Sequence, residues 1–560
     1  MHVATMRQRL SPGGGQSAPW PLERGLIWTS PLALSSLTAG DVGWIAGECL
    51  EVMSAAGPIV KSDGVNTSER RLIRIAEKTF LNLWSYPNIF VKKSEKSSFS
   101  SKEIADLLVI CGDDIIVFSD KRIAYPVGEV DQSWARWYRR AVEHSASQLR
   151  KAERCIRAYP DSLYLDAKCT QPLPLALPTA EKRKIHGIVI VSGVDNACRA
   201  HFPGGTGSMM INSELKGDDH VDVSKSGYTP FSIGDVNDKG SFLHVFNDST
   251  IEVLLNELST VADFINYLKE REVLLRSGKW ISACGEEDLL ALFFDTADDS
   301  GVHSFSRDPR LSGKEFGSLI VEEGYWSSYI FSSRYFEQME SNKISYAWDQ
   351  LIQLFGVHAL AGTSYKIPGT TPSVVNAEKS LRTMAREPRV WRRHLARQLF
   401  ETLDKAEALG MNKFFRVAFP ARTIKSAEKA YVFFVLDIPA DLIEAYGPDQ
   451  YRHARVVMLR SYCQNLLLEY ANLREVVGLG FDPKRNFSNG YGGSEDVVYA
   501  EQQVWTSEVR QRLLEERESL EIFQKSNMDR GKRSDRMYPR SDTANRHERR
   551  RRKSESRRSK

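Results

Sequence analysis

Two short β-branched runs, 104–110 and 115–121, are separated only by Cys111-Gly-Asp-Asp114. A break that brief, built from glycine and aspartate, forces the chain to reverse at once, so the two runs read as an antiparallel hairpin. Upstream, Leu72, Ile73, Ala76, Phe80 and Leu83 recur at helical spacing behind Ser68, which reads as a cap. Tyr86-Pro87-Asn88 ends that helix. Downstream, 132–158 reads as one long amphipathic helix whose inward positions are Trp134, Trp137 or Tyr138, Ala141, Ser145, Gln148, Ala152 and Ile156. A short apolar run, His186-Gly-Ile-Val-Ile-Val191, follows. Helix, hairpin, helix, strand is an α/β order, and the last strand is expected beside the hairpin by a crossover.

The chain has 560 residues, past the size at which one core keeps growing, so about three domains are expected. With 42% hydrophobic, 26% charged and 10% aromatic residues it has a globular composition. Residues 1–66 mix Gly, Pro and Ser with weak apolar runs and read as a poorly ordered leader. An α/β domain is expected over 67–239 and a mainly helical region over 240–376, where 250–275 reads as one helix and Gly285-Glu-Glu-Asp starts another. A smaller α+β domain is expected over 377–525, with strands near 413–419, 431–438 and 475–481 and a helix over 451–470. No internal repeat is visible.

Charge is uneven. Residues 530–560 carry 14 Lys/Arg against 4 Asp/Glu, which leaves 62 against 68 over residues 1–529. The body is mildly acidic and 526–560 reads as a basic, solvated tail able to touch phosphates without sequence preference. A broad basic face for nucleic acid is not indicated, though a local groove is compatible with these charges. No run approaches the roughly 18 apolar residues of a membrane span, and no secretory signal is read in the first 60 residues. The seven cysteines, at 49, 111, 155, 169, 198, 284 and 463, are scattered and never spaced CxxC, as expected of reduced thiols in a cytoplasm.

The hairpin carries the chemistry. Asp106 lies at the start of one run and Lys121 at the end of the other, a layout that suits metal-assisted phosphodiester hydrolysis. Such chemistry needs carboxylates to hold Mg²⁺ and a nearby cation to assist water or offset developing charge. On these residues the segment 67–193 resembles the PD-(D/E)XK nuclease superfamily. The resemblance implies a restriction-endonuclease-like mixed sheet flanked by helices, Mg²⁺ as cofactor, and DNA or RNA as partner. It implies catalytic roles for Asp106, Lys121 and Gln148, and metal roles for Asp106, Glu69 and Asp120. The strand at 188–191 would complete the core.

One position departs from that pattern. The family places an acid two residues before the lysine, on the same strand face, where this chain has Ser119. Either a bulge turns Asp120 inward, or another acid such as Glu69, Glu77 or Glu103 takes the role, or the site has lost its metal. Singly, each residue has an ordinary explanation: an exposed Asp106–Lys121 pair, Glu69 favouring its own helix dipole, Gln148 as a buried amide. A non-catalytic scaffold that binds nucleic acid or a protein is therefore the alternative.

Other segments carry weaker signals. Pro203-Gly-Gly-Thr-Gly-Ser208 lacks the Gly-Lys-Ser/Thr ending of a P-loop and reads as a turn. Cys198, His201 and Cys169 lack a fourth zinc partner at a usual spacing. Asp113-Asp114 suits a turn without a metal. Arg452, Arg455 and Arg460 with Ser494-Glu-Asp496 form either a polar site for an anion or a solvated helix face. No nucleophile triad is visible in the residue order.

Overall fold

The computed structural model describes residues 59–64, 66–92, 101–298, 301–311, 317–364, 374–421, 423–485 and 494–523. Most of the expected leader, the whole of the expected basic tail and Cys49 lie outside the described residues. The protein is α/β, with mixed sheets flanked by helices.

Helix α1 (Thr67–Phe80) is capped by Asn66, whose side chain accepts the N–H groups of Ser68 and Glu69. The cap expected at Ser68 thus falls two residues earlier. Helical periodicity buries Leu72, Ile73, Ala76 and Phe80 against the first sheet. Strands β1 (Ser85–Lys92), β2 (Ser101–Cys111) and β3 (Asp114–Arg122) then form an antiparallel meander. Strand β1 starts at the segment expected only to break the helix, because Pro87 pairs with Leu107 where the other neighbour of β1 is absent and no N–H is needed. Gly112, at φ +66°, makes the turn between β2 and β3.

The long helix expected over 132–158 is present with one local widening, and Trp134, Trp137, Tyr138, Ala141, Ser145, Ala152 and Ile156 are buried as expected. Helices α2 (Val130–Tyr138) and α3 (His144–Ala158) are joined without a break by a wide π turn, Arg139–Glu143. That turn accommodates one residue more than an α-turn. Ser145, Ala152 and Ile156 pack inward as expected, joined by Ala146 and by Leu149 in place of Gln148. Gln148 is exposed, a correction to its expected inward place.

Strand β4 (Leu163–Tyr164) pairs with β1, and β5 (Lys184–Ser192) lies beside β3 in parallel, the crossover expected from the element order. After helix α4 (Asp195–His201) come β6 (Met210–Lys216), β7 (Ser232–Asp235) and β8 (Leu243–Asn247). Strand β8 pairs in parallel with β5, giving a six-stranded sheet ordered β4-β1-β2-β3-β5-β8. Strand pairing thus runs across the boundary expected at 239–240.

The expected single helix over 250–275 is two, α5 (Asp248–Glu257) and α6 (Val261–Leu275). Thr260 restarts the helix by accepting the Asp263 N–H, as a threonine cap does. Strands β9 (Trp280–Ala283) and β10 (Ser318–Val321) join β6 and β7 in a second sheet ordered β10-β9-β6-β7, with helix α7 (Glu286–Asp295) between them in sequence. Helices α8 (Tyr325–Ile330), α9 (Ser333–Asn342), α10 (Tyr346–Ala361), α11 (Val374–Ala385) and α12 (Arg389–Leu409) follow.

A third sheet is built from β11 (Lys413–Ala418), β12 (Lys429–Leu436), β13 (Glu475–Phe481) and β14 (Glu495–Glu501), in that order. Helices α13 (Ala440–Tyr446) and α14 (Pro448–Glu469) connect β12 to β13, and α15 (Ser507–Ser519) follows β14. The strand, strand, helix, strand order expected here is present. One apolar core extends from Leu72 to Phe481, and a second lies under α14 around Phe434, Leu459 and Tyr462.

Candidate functional site

The β2–β3 ladder runs from Cys111–Asp114 at the turn to Leu107–Phe118. One step further, where Asp106 and Ser119 would face each other, the strands no longer pair as a ladder. The Asp106 carboxylate takes over there and accepts the backbone N–H of Asp120 at 2.6 Å. The fork where β2 and β3 part, each still paired with its other neighbour, is thereby bridged by a side chain.

The two faces of β3 are settled by their neighbours. Phe118 packs on Phe80 of α1, and the Ser68 hydroxyl, at the start of the same helix, donates to Asp120 Oδ2. Phe118 and Asp120 therefore face α1. Val117 lies beside Gly187, where a Cβ would meet Leu149 of α3. Val117, Ser119 and Lys121 share that opposite face by strand alternation. Ser119 is buried and Lys121 half-buried, and no hydrogen bond or ion pair is made by the Lys121 ammonium among the described residues. The sequence alternation is thus obeyed, and Asp120 and Lys121 stand on opposite faces of one strand.

Carboxylates crowd this end of the hairpin. Burial pushes the Asp106 carboxyl up to about 7, the Asp120 N–H opposes the shift, and the negative charges of Glu103, Asp120 and Glu69 add to it. Asp120 is also raised, first by burial, with the Ser68 hydroxyl and Arg122 opposing and Asp248 and Glu69 reinforcing. Its Oδ1 is buried without a hydrogen-bond partner, as is Oδ1 of Asp248. Glu69 also accepts the Asn66 amide, and Glu103 accepts the Asn88 amide at 2.9 Å. Gln148 remains on the exposed side of α3, away from its expected inward place.

Sequence reading missed Asp248 and Asp195. Both follow parallel strands of the same sheet, Asp248 directly after β8 and Asp195 at the start of the helix after β5. Asp195 is pushed up to about 6 by burial, with the Asn247 amide opposing and Asp248 reinforcing. The only signal for them was an acid at the carboxyl end of an apolar strand, where open α/β sheets gather their ligands. Among the described residues no group of three or more His, Cys, Asp or Glu side chains is arranged to hold a metal ion.

The weaker candidates are occupied by the protein itself. Thr206 and Ser208 of the glycine-rich turn donate to the two oxygens of Glu287. Cys198 donates to the Ser208 carbonyl, and the His201 ring meets Phe202 edge-on and packs tilted against Phe231. Asp114 is held by His186 at 2.9 Å and Lys269 at 2.8 Å, which ties the hairpin turn to β5 and α6. Arg452 pairs with Asp496, and the buried Arg455 binds Asp482, Asp496 and Ser494. These guanidinium groups are committed to internal acids, which corrects the reading of an open anion site.

Comparison with protein-family models, with curated proteins and with solved structures finds no match for the chain. Among the described residues no helix is long and apolar enough to cross a membrane.

Proposed function

We propose that this protein is a Mg²⁺-dependent phosphodiesterase acting on DNA or RNA, built on a PD-(D/E)XK-type core. The observation that carries the reading is the crowding of Asp106 by Asp120, Glu69 and Glu103 at the open end of the hairpin. A helix, a three-strand meander, a helical crossover and a fourth strand parallel to the third support the fold assignment.

Asp106 and Asp120, with Glu69 once it has moved, are the residues that would hold the cation, since the three are not grouped for it as they stand. Their donors are hard oxygens, as Mg²⁺ requires, and the unpartnered Asp120 Oδ1 is an oxygen that the protein leaves to be satisfied. The ion, when bound, supplies positive charge against a phosphate oxygen and lowers the pKa of water. Glu69 must turn from Asn66 to take part. Asp106 must lose the proton that its surroundings favour, so binding strengthens as pH rises through about 7. Lys121 brings its ammonium to the same strand end from the face opposite Asp120. Its unpaired charge suits an approaching phosphate.

The test is purified protein with plasmid, single-stranded DNA and RNA in Mg²⁺ or Mn²⁺, beside Asp106→Asn, Asp120→Asn and Lys121→Ala. Cleavage that is lost in the two aspartate variants supports the reading; equal cleavage in all four proteins sinks it.

A second reading, a non-catalytic scaffold descended from such a core, is favoured by the opposite faces of Asp120 and Lys121 and by the exposed Gln148. It predicts no cleavage under any metal, with nucleic acid or a protein still bound.

A further inference from the structure

At the turn end of the hairpin, away from Asp106, lies a cleft of about 890 Å³. Its walls come from three places that are distant in sequence: the turn at Gly112 and Asp113, the loop at 175–182, and α11 with the adjoining ends of the third sheet. Its size is that of a site for one small molecule.

Its charges are unevenly committed. Among the lining acids, Asp113 makes no ion pair among the described residues and offsets part of the positive charge, while Glu378 is paired with Arg382 at 3.3 Å and also accepts the indole N–H of Trp84. Glu475 accepts hydroxyls from Thr383 and Tyr499, and Glu428 faces Arg474. Lys429 is neutralised by Glu387 at 2.6 Å. Three lining cations are left with little or no compensation. Lys379 has a carboxylate only at 3.8 Å, and Lys182 and Arg386 have no carboxylate partner among the described residues.

Lys379, Arg382 and Arg386 recur at i, i+3 and i+7, so they line one face of α11 and its continuation. Lys182 approaches from the facing loop. The helix C-terminus favours basic residues there, but that dipole does not account for Lys182. Nor does it account for the seat of Arg386, whose Nη1 would lie 2.9 Å from a Cβ at Gly112. The guanidinium is held against the backbone of the hairpin turn, with its N–H fork uncommitted to any acid. Leu175, Leu177 and Pro178 supply an apolar floor beside it.

We propose that this cleft binds a small phosphate-bearing ligand of nucleotide size, its phosphate oxygens taken by Arg386, Lys182 and Lys379 and its organic part laid on the apolar floor. A planar fork of N–H donors suits phosphate oxygens in pairs. The site is separate from the acidic end of the hairpin, so its occupancy does not depend on the phosphodiesterase reading.

Isothermal titration of the full chain at low salt with inorganic pyrophosphate, ADP and adenosine tests the assignment, beside the double variant Arg386→Gln/Lys182→Gln and the Asp106→Asn variant. Both substituted cleft residues are exposed, and an unchanged melting temperature verifies that the double variant folds. The expected result is ADP binding tighter than pyrophosphate and no binding of adenosine. The double variant should weaken ADP binding at least about tenfold, the loss of a little over one good interaction, and Asp106→Asn should not. Absence of ADP binding at millimolar concentration, or equal affinity in the double variant, overturns the proposal. A single-stranded oligonucleotide that binds where ADP does not, with the same sensitivity to the double variant, also overturns it and makes the cleft part of a polymer surface.

Discussion

The carboxylate of Asp106 accepts the backbone N–H of Asp120 at 2.6 Å, so an acid in the middle of β2 holds the far end of β3 in place. This bond places a charge-bearing group where burial and three neighbouring acids disfavour its charge. The folded protein therefore holds the Asp106 proton up to about pH 7, while the unfolded chain releases it near 4. An acid whose folded pKa is raised costs nothing at low pH and subtracts stability as pH rises from about 4 through 7. Asp106→Asn keeps an acceptor for the Asp120 N–H without the charge. It is expected to stabilise the fold by about 1–2 kcal/mol at pH 8 and by almost nothing at pH 4, the figure being discounted for partial exposure. Urea melts of both proteins at the two pH values measure it.

Millimolar Mn²⁺ or Mg²⁺ is expected to raise the melting temperature of the wild-type chain more at pH 8 than at pH 6, because the cation must displace the Asp106 proton. Neither Asp106→Asn nor Asp120→Asn should show the pH-dependent part. A shift of equal size in all three proteins would place the ion elsewhere.

Ser119→Asp puts an acid two residues before Lys121, on the face that Ser119 and Lys121 share. Ser119 is 7% exposed, so the new carboxylate is expected to lower stability at neutral pH by about 1–3 kcal/mol. Under the phosphodiesterase reading the same variant should gain metal-dependent cleavage over wild type, read by plasmid nicking. Destabilisation without any gain would favour the scaffold.

Arg455 is fully buried and holds two aspartates at once. Arg455→Met leaves Asp482 and Asp496 without their shared cation, and is expected to cost about 3–5 kcal/mol. Arg455→Lys should recover little, because one ammonium cannot also reach Ser494 while serving both acids. Chemical denaturation followed by tryptophan fluorescence reports both losses.

Gly187 lies where β5 passes beneath α3, and a Cβ there would come within 2.4 Å of Leu243 Cδ2 and 3.4 Å of Leu149. Gly187→Ala is expected to destabilise by about 1–3 kcal/mol through overpacking. Adding Leu243→Val should return part of that loss, since the nearest clash is with a leucine terminus. A double-mutant cycle in urea checks the coupling.

The hairpin, its turn and the parallel strand beside it were legible in the sequence because each is a local signal: β-branched runs, Gly112 with aspartates, and an apolar segment at 186–191. Strand β1 was not, since Pro87 and Asn88 mark a break in any local reading, and only the neighbours reveal that Pro87 sits where no partner needs its N–H. Gln148 was misplaced for a different reason. It adjoins Leu149 on the helix, and of the two neighbours α3 buries the apolar one, while Ser145, Ala152 and Ile156 keep their expected inward places. The alternation of Ser119, Asp120 and Lys121 was readable, and it correctly separated the last two by face. Asp195 and Asp248 each carried the signal of an acid after an apolar strand, but nothing in a single chain says which strand ends a parallel sheet will bring together.

Strand β8 makes the first sheet indivisible at the place where the sequence invites a cut. A chain ending at residue 239 would keep every residue of the hairpin and of β5, yet it would expose a long apolar parallel edge and remove the side chain of Leu243 from Gly187. Such a fragment is a template for pairing with its own copies. Preparations of the acidic hairpin end in isolation therefore have to extend at least through Asn247 and the two helices that cover it, and insolubility of a shorter piece would reflect a bare edge rather than an unstable site.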